Sequence, residues 1–149
     1  MPALGFGTSS IQDPNVFFTA VKVGYRHFDT ATKYGNEAAL GEAINRAIAE
    51  NIVTREELFV TTKLWYDDYA DPEAALRLSL TKLNLQFVDL YLIHWPLTGH
   101  VNKVPMHVLW AKMEDLVSKG LTKSIGVSNF NVQLLADMLT YAKIPPAVN

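Results

Sequence analysis

Runs of strand-forming residues recur along this chain at a nearly constant interval, and each ends on a polar or ionisable side chain. The runs are Arg26-His27-Phe28-Asp29, Phe59-Val60-Thr61-Thr62-Lys63, Leu90-Tyr91-Leu92-Ile93-His94 and Ile125-Gly126-Val127, the last followed by Ser128-Asn129. The interval fits one strand, one loop and one helix. Parallel strands repeated at one βα unit, each with a polar residue at its C-terminal end, are how a (β/α) barrel assembles an active site on one rim. An Asp, a Lys and a His delivered to one rim read as an enzyme.

The residues between the runs supply the helices. Asp13-Pro14 predicts a cap and first turn for a helix over 15–23, and Asp71-Pro72-Glu73 marks a second clear start. Leu76, Leu80 and Leu83 then have the spacing of a buried helix face. Further helices are expected over 37–50, 105–119 and 132–143, the fourth ended by Gly120 and the fifth capped by Asn131. Thr54-Arg55-Glu56-Glu57 has capping-box residues, but only Leu58 separates it from the next strand, so a turn is expected. Residues 95–104 read as irregular. A short strand over 4–8 opens the chain, and Ala147-Val148-Asn149 reads as the opening of a sixth strand.

The count is five βα units plus the start of strand six, with no linker or composition shift between them. The expected fold is α/β, of the (β/α)8 TIM-barrel type but incomplete, with residues 1–149 as a single partial barrel domain. The open sheet edges of such a barrel call for a further C-terminal part or another chain to complete it. With 49% hydrophobic and 19% charged residues the composition is globular. A net charge of −2 gives no basic footprint for nucleic acid. There is no cysteine, which excludes disulfides and thiolate metal sites. No apolar run has the length of a membrane span and no signal peptide opens the chain. A soluble, cytoplasmic protein is expected.

The densest stretch is Gly24 to Glu37. Tyr34 falls on the loop after Asp29, and a nearby ammonium makes a tyrosine a better acid. Lys63 can supply that charge, Asp29 can hold Lys63, and His94 can orient a substrate oxygen beside Tyr34. A phenol, an ammonium, a carboxylate and an imidazole around one oxygen suit protonation of a carbonyl while a nucleophile attacks its carbon. With no cysteine and no metal cluster, the natural attacker is a hydride from a nicotinamide.

The residues quoted so far carry a resemblance. Gly24-Tyr25-Arg26-His27-Phe28-Asp29-Thr30-Ala31, then Tyr34-Gly35-Asn36-Glu37 and Leu40-Gly41, resemble the first signature of the aldo-keto reductase family. Lys123 to Phe130 resembles its second, while Leu92-Ile93-His94-Trp95-Pro96 and Thr62-Lys63-Leu64-Trp65 match its strand endings. The wording is closest to the aldose-reductase-like branch. The resemblance implies NADPH-dependent reduction of an aldehyde or ketone, with NAD(H) as the alternative cofactor and a small-molecule carbonyl substrate. It implies that Tyr34 is the proton donor, assisted by Lys63, with Asp29 paired to that lysine and His94 orienting the carbonyl. It further implies that Ser128 and Asn129 bind the nicotinamide carboxamide, that Gly7, Thr8 and Asp29 lie against the cofactor, and that Trp95 lines the substrate pocket with Tyr34 and His94. No metal is implied.

Two departures stand out. Ser9 replaces the tryptophan that usually follows Gly-Thr, which removes an aromatic wall. The segment that holds the cofactor's 2′-phosphate would lie beyond Asn149. A different class of reading follows from the open barrel: a non-catalytic structural or interaction subunit derived from such a reductase. Some residues carry plainer readings. His27, Tyr25, Tyr66, Tyr69 and Trp110 are expected in packing or at the pocket edge, Asp67-Asp68 in solvent, and Lys123 as a surface charge. His100 and His107 are given no role.

Overall fold

The computed structural model describes residues 1–97 and 103–149, so His100 and the centre of the irregular segment lie outside it. Strands and helices alternate: β1 (Gly5–Gly7), α1 (Pro14–Lys22), β2 (His27–Asp29), α2 (Glu37–Ala49), β3 (Phe59–Leu64), α3 (Pro72–Leu83), β4 (Val88–Ile93), α4 (Met106–Ser118), β5 (Thr122–Val127) and α5 (Val132–Tyr141). Short 3-10 turns occupy Thr32–Tyr34 and Tyr66–Asp68. The strands pair in parallel and in sequence order, β1-β2-β3-β4-β5. Consecutive parallel neighbours joined by helical crossovers are what the recurring interval requires.

The helix starts follow the cap chemistry. Asp13 Oδ1 accepts from the Asn15 amide at 2.9 Å, Asp71 Oδ1 from Ala74 at 3.0 Å, and Asn131 Oδ1 from Leu134 at 2.9 Å. Gly120 takes φ 70° just after α4, as a helix-ending glycine does. One core runs between sheet and helices: Val60, Tyr91, Ile93, Ile125 and Val127 pack with Leu40, Ile44, Leu76, Leu109 and Met113. Burying each large aliphatic chain contributes about 1.5–3 kcal/mol, which holds the strand ends in fixed register. Gly41 lets α2 pass close to the end of α3. A Cβ there would stand 2.5 Å from the Leu83 carbonyl oxygen, and Asn45 Nδ2 bridges the same crossing to Gly41 O and Leu83 O.

Several expectations are refined. Thr54–Glu57 is a turn, with Glu57 accepting from the Thr54 amide at 2.8 Å. α5 stops at Tyr141 rather than Lys143, because the buried Glu114 carboxylate takes the amides of Lys143 and Ile144 at 2.7 and 2.9 Å. The residue before Pro145 is also disfavoured in helix. The sixth strand is only begun: Ala147 donates to Ile125 O and Val127 to Val148 O, without regular strand geometry. Lys123 is not a lone surface charge, since its ammonium lies 3.1 Å from the Asp89 carboxylate. No described helix is long and apolar enough to cross a membrane.

Candidate active site

Lys63 organises the site. It sits near the C-terminal end of β3 with its charged side chain buried, which requires compensating partners. Nζ donates to the Asp29 carboxylate, to Thr30 O at 3.0 Å and to Tyr34 Oη at 3.3 Å. The parallel register makes this geometry possible: Asp29 of β2 stands opposite Thr61 of β3, and Lys63 lies two residues further toward the rim.

Tyr34 ends a 3-10 turn that is tied down at several points. Thr32 Oγ1 donates to Lys63 O at 2.9 Å, and Gln12 Nε2 donates to Tyr34 O at 3.1 Å. Gly35 closes the turn at φ 68°, a left-handed conformation that glycine takes without steric cost. Asn36 then donates to Thr8 O and Ile11 O at 2.7 and 2.8 Å and accepts from Thr30 Oγ1 at 2.7 Å. This buried amide ties the tyrosine turn to the end of β1.

His94 follows β4, its amide bonded to Leu64 O at 3.1 Å. Its ring meets Tyr34 edge-on at 5.6 Å between centroids and Trp65 at 5.1 Å. Burial, and then the nearby Lys63 charge, push its pKa from 6.5 down to about 4, with Asp29 pulling the other way. Near neutrality the ring is therefore an uncharged imidazole with a single N–H to offer. The depressed value also has a consequence for stability. The neutral ring's contribution is fully present above pH 6.5 and is lost as pH falls through about 4. Acid melts of the protein and of His94→Asn should diverge across that window, the wild type losing more. Parallel curves would show that His94 protonates as readily folded as unfolded.

The fifth strand end adds Ser128 and Asn129. Asn129 adopts φ 64° and donates through Nδ2 to His94 O at 2.8 Å and Ser128 Oγ at 2.9 Å. The Asn129 carbonyl oxygen and the Ser128 hydroxyl hydrogen are left for a ligand, an acceptor and a donor side by side, which is what a carboxamide needs. On β1, Gly7 stands opposite Asp29, and a Cβ on it would meet nothing within 4 Å. Thr8 is fully buried, with a hydroxyl that has no partner among the described residues. The His94 Nδ1 is likewise buried and unpaired. The open space at Gly7 beside Asp29, with the Ser128–Asn129 donor and acceptor on the same rim, fits a bound nicotinamide ring and its amide.

The structure thus gathers Gly7, Thr8, Asp29, Tyr34, Lys63, His94, Ser128 and Asn129 on one rim. Trp95, expected to line the substrate pocket, directly follows His94 and is 42% exposed. The aromatic wall beside His94 is Trp65, whose place in the Thr62-Lys63-Leu64-Trp65 motif carries no signal of that role. Lys33 covers the Trp65 ring from 5.0 Å. Tyr69 is buried as packing, its hydroxyl bonded to Trp95 O, and half-buried His27 packs on Phe59 and bonds Thr61 at 3.2 Å. A cavity of about 530 Å³ shares Trp65, Thr32 and Lys33 with the rim, but none of Asp29, Tyr34, Lys63 and His94 lines it.

The model of the Aldo/keto reductase family matches residues 4–149. The chain belongs to the aldo/keto reductase family. An uncharacterized oxidoreductase, YtbE of Bacillus subtilis, is 43% identical over all of this chain and 54% of its own length. The NAD(P)H-dependent 6′-deoxychalcone synthase of Glycine max is 44% identical, covering all of the chain and 53% of that protein. The Bombyx mori aldo-keto reductase AKR2E4, solved in complex with NADP, superposes on the whole chain with a TM-score of 0.93 at 37% identity, over 53% of its own chain. The chain spans about half the length of the curated relatives it matches. Its five parallel units are an incomplete barrel of the aldo/keto reductase type.

Proposed function

We propose that this protein is the catalytic half of an NADPH-dependent reductase that converts an aldehyde or ketone to an alcohol in the cytoplasm, with residues 1–149 as one partial barrel domain. The observation that carries the reading is the Lys63 ammonium bonded at once to Asp29, Thr30 O and Tyr34 Oη. A substrate oxygen beside Tyr34 also meets the neutral His94 ring. Tyr34 donates its proton to that oxygen as negative charge develops on it. Lys63 stabilises the phenolate left behind, and Asp29 holds the lysine in place. His94 donates a hydrogen bond that fixes the carbonyl's orientation. Gly7, Thr8, Ser128 and Asn129 would hold the nicotinamide end of the cofactor, which when bound supplies the hydride.

The B. subtilis relative is an oxidoreductase and the G. max relative is NAD(P)H-dependent. Both support the catalytic reading over that of a non-catalytic subunit. NAD(H) is the second cofactor to test. The direct test is a titration of the folded protein with NADPH, following the fluorescence of its three tryptophans. Saturable quenching, weakened in Ser128→Ala and Asn129→Ala, is expected. A folded sample that shows no quenching would remove the cofactor from the account and return the subunit alternative.

A further inference from the structure

Behind the rim, on the face of β3 opposite Lys63, lies a buried carboxylate to which the proposed mechanism gives no part. Glu37 is the first residue of α2, three positions after Tyr34, and its side chain is only 1% exposed. Its Oε1 accepts from Thr62 Oγ1 at 2.7 Å, and Thr62 immediately precedes Lys63. Among the described residues its Oε2 is buried with no hydrogen bond, and half-exposed Lys82 stands 4.0 Å away. Tyr91 stands opposite Thr62 in the β3–β4 register, and its fully buried hydroxyl is also unpaired. Burial, and then the Glu37 charge, hold that phenol well above its usual pKa, which places Glu37 and Tyr91 in one shielded compartment.

A carboxylate kept this dry with one oxygen unsatisfied costs folding free energy rather than contributing it. What it achieves is a connection. The turn carrying Tyr34 runs into α2 through Asn36, which is fixed to β1, and Glu37 fixes the same helix start to β3 beside Lys63. We propose that Glu37 is a positioning residue: through Thr62 it braces the Tyr34 turn against β3 and so sets the Lys63–Tyr34 separation. The inference rests on the reading that Lys63 and Tyr34 act together. Its test does not need turnover.

The measurement is competitive acetylation of the folded protein, with each lysine quantified by mass spectrometry. Buried Lys63 labels slowly in the wild type compared with exposed Lys22 and Lys33. Glu37→Ala should raise the Lys63 rate by about tenfold through local opening, with Lys22 unchanged. Thr62→Val exchanges the hydroxyl for a methyl group of similar size and should do the same, which keeps the test decisive if the alanine variant fails to fold. Glu37→Gln retains an acceptor for Thr62 and should preserve the protection. Where turnover is measured, the Ala and Val variants should lose kcat with KM little changed. Wild-type Lys63 labelling in the Glu37 and Thr62 variants would overturn the proposal, and so would a uniform rise at every lysine. A selective rise at Lys63 in a protein that fails to reduce carbonyls would uphold this bracing while ending the reductase reading.

Discussion

Tyr34→Phe is expected to lower carbonyl-reducing turnover by about 10²–10⁴-fold, the range supplied by a positioned general acid, while leaving the melting temperature near that of the wild type. Phenylalanine keeps the ring that meets His94 edge-on, so packing at the rim survives. What is lost is the hydroxyl 3.3 Å from Lys63 Nζ, the proton donor proposed for the reaction. The lysine is not stranded, because the Asp29 carboxylate and Thr30 O still receive it. Cofactor affinity should hold, since Ser128, Asn129, Gly7 and Thr8 are untouched. Steady-state kinetics and a calorimetric melt check both halves of the statement. A variant that turned over at the wild-type rate would take the acid role away from Tyr34.

The largest effect on stability is expected at the opposite end of the sheet. Asp89, near the start of β4, is buried and accepts from Arg55 at 2.8 Å and from the Val60 amide of β3 at 3.0 Å. Its other oxygen meets Lys123 of β5 at 3.1 Å. One carboxylate thus ties β4 to both neighbouring strands. Arg55 and Lys123 lie over the Phe87 ring, 4.3 and 4.5 Å from its centroid. Asp89→Ala leaves a largely buried guanidinium without its counter-charge and a buried amide without an acceptor. The expected loss is about 3 kcal/mol, or roughly 6–12 °C in Tm for a chain of this size. Asp89→Asn should recover part of it, because an amide oxygen can still accept from Val60. Urea unfolding of the two variants checks the ranking. A change within about 0.5 kcal/mol for the alanine variant would mark the cluster as an ordinary surface ion pair.

The residues at strand ends were legible in sequence because position alone identifies them. A polar residue that terminates an apolar run in a parallel barrel must face the rim, so Asp29, Lys63, His94 and Ser128 could be read without a partner in view. Asp89 and Glu37 could not be read this way. Asp89 sits inside an apolar run, and its ligands Arg55, Val60 and Lys123 come from the preceding turn and two other strands. Glu37 stands in the sequence as the start of an expected helix and the end of a signature motif, and neither signals a buried carboxylate. Lys123 read as surface charge for the same reason: its partner is fixed by register, not by spacing. Trp65 shows the complementary limit: it lies two residues past Lys63, and only the path of the backbone beyond the strand brings its ring to His94. The helix end displaced by more than one residue is that of α5, where the distant Glu114 side chain captures the backbone at Lys143 and Ile144.

The central claim is that this rim reduces carbonyls at the expense of NADPH. The most direct measurement is the loss of nicotinamide absorbance when NADPH, the protein and an aldehyde are combined, with the alcohol quantified in the same sample. Aldehyde-dependent oxidation of NADPH, matched mole for mole by alcohol and abolished in Lys63→Met, is the result predicted. A folded protein that binds NADPH yet forms no alcohol from any aldehyde or ketone tried would contradict it.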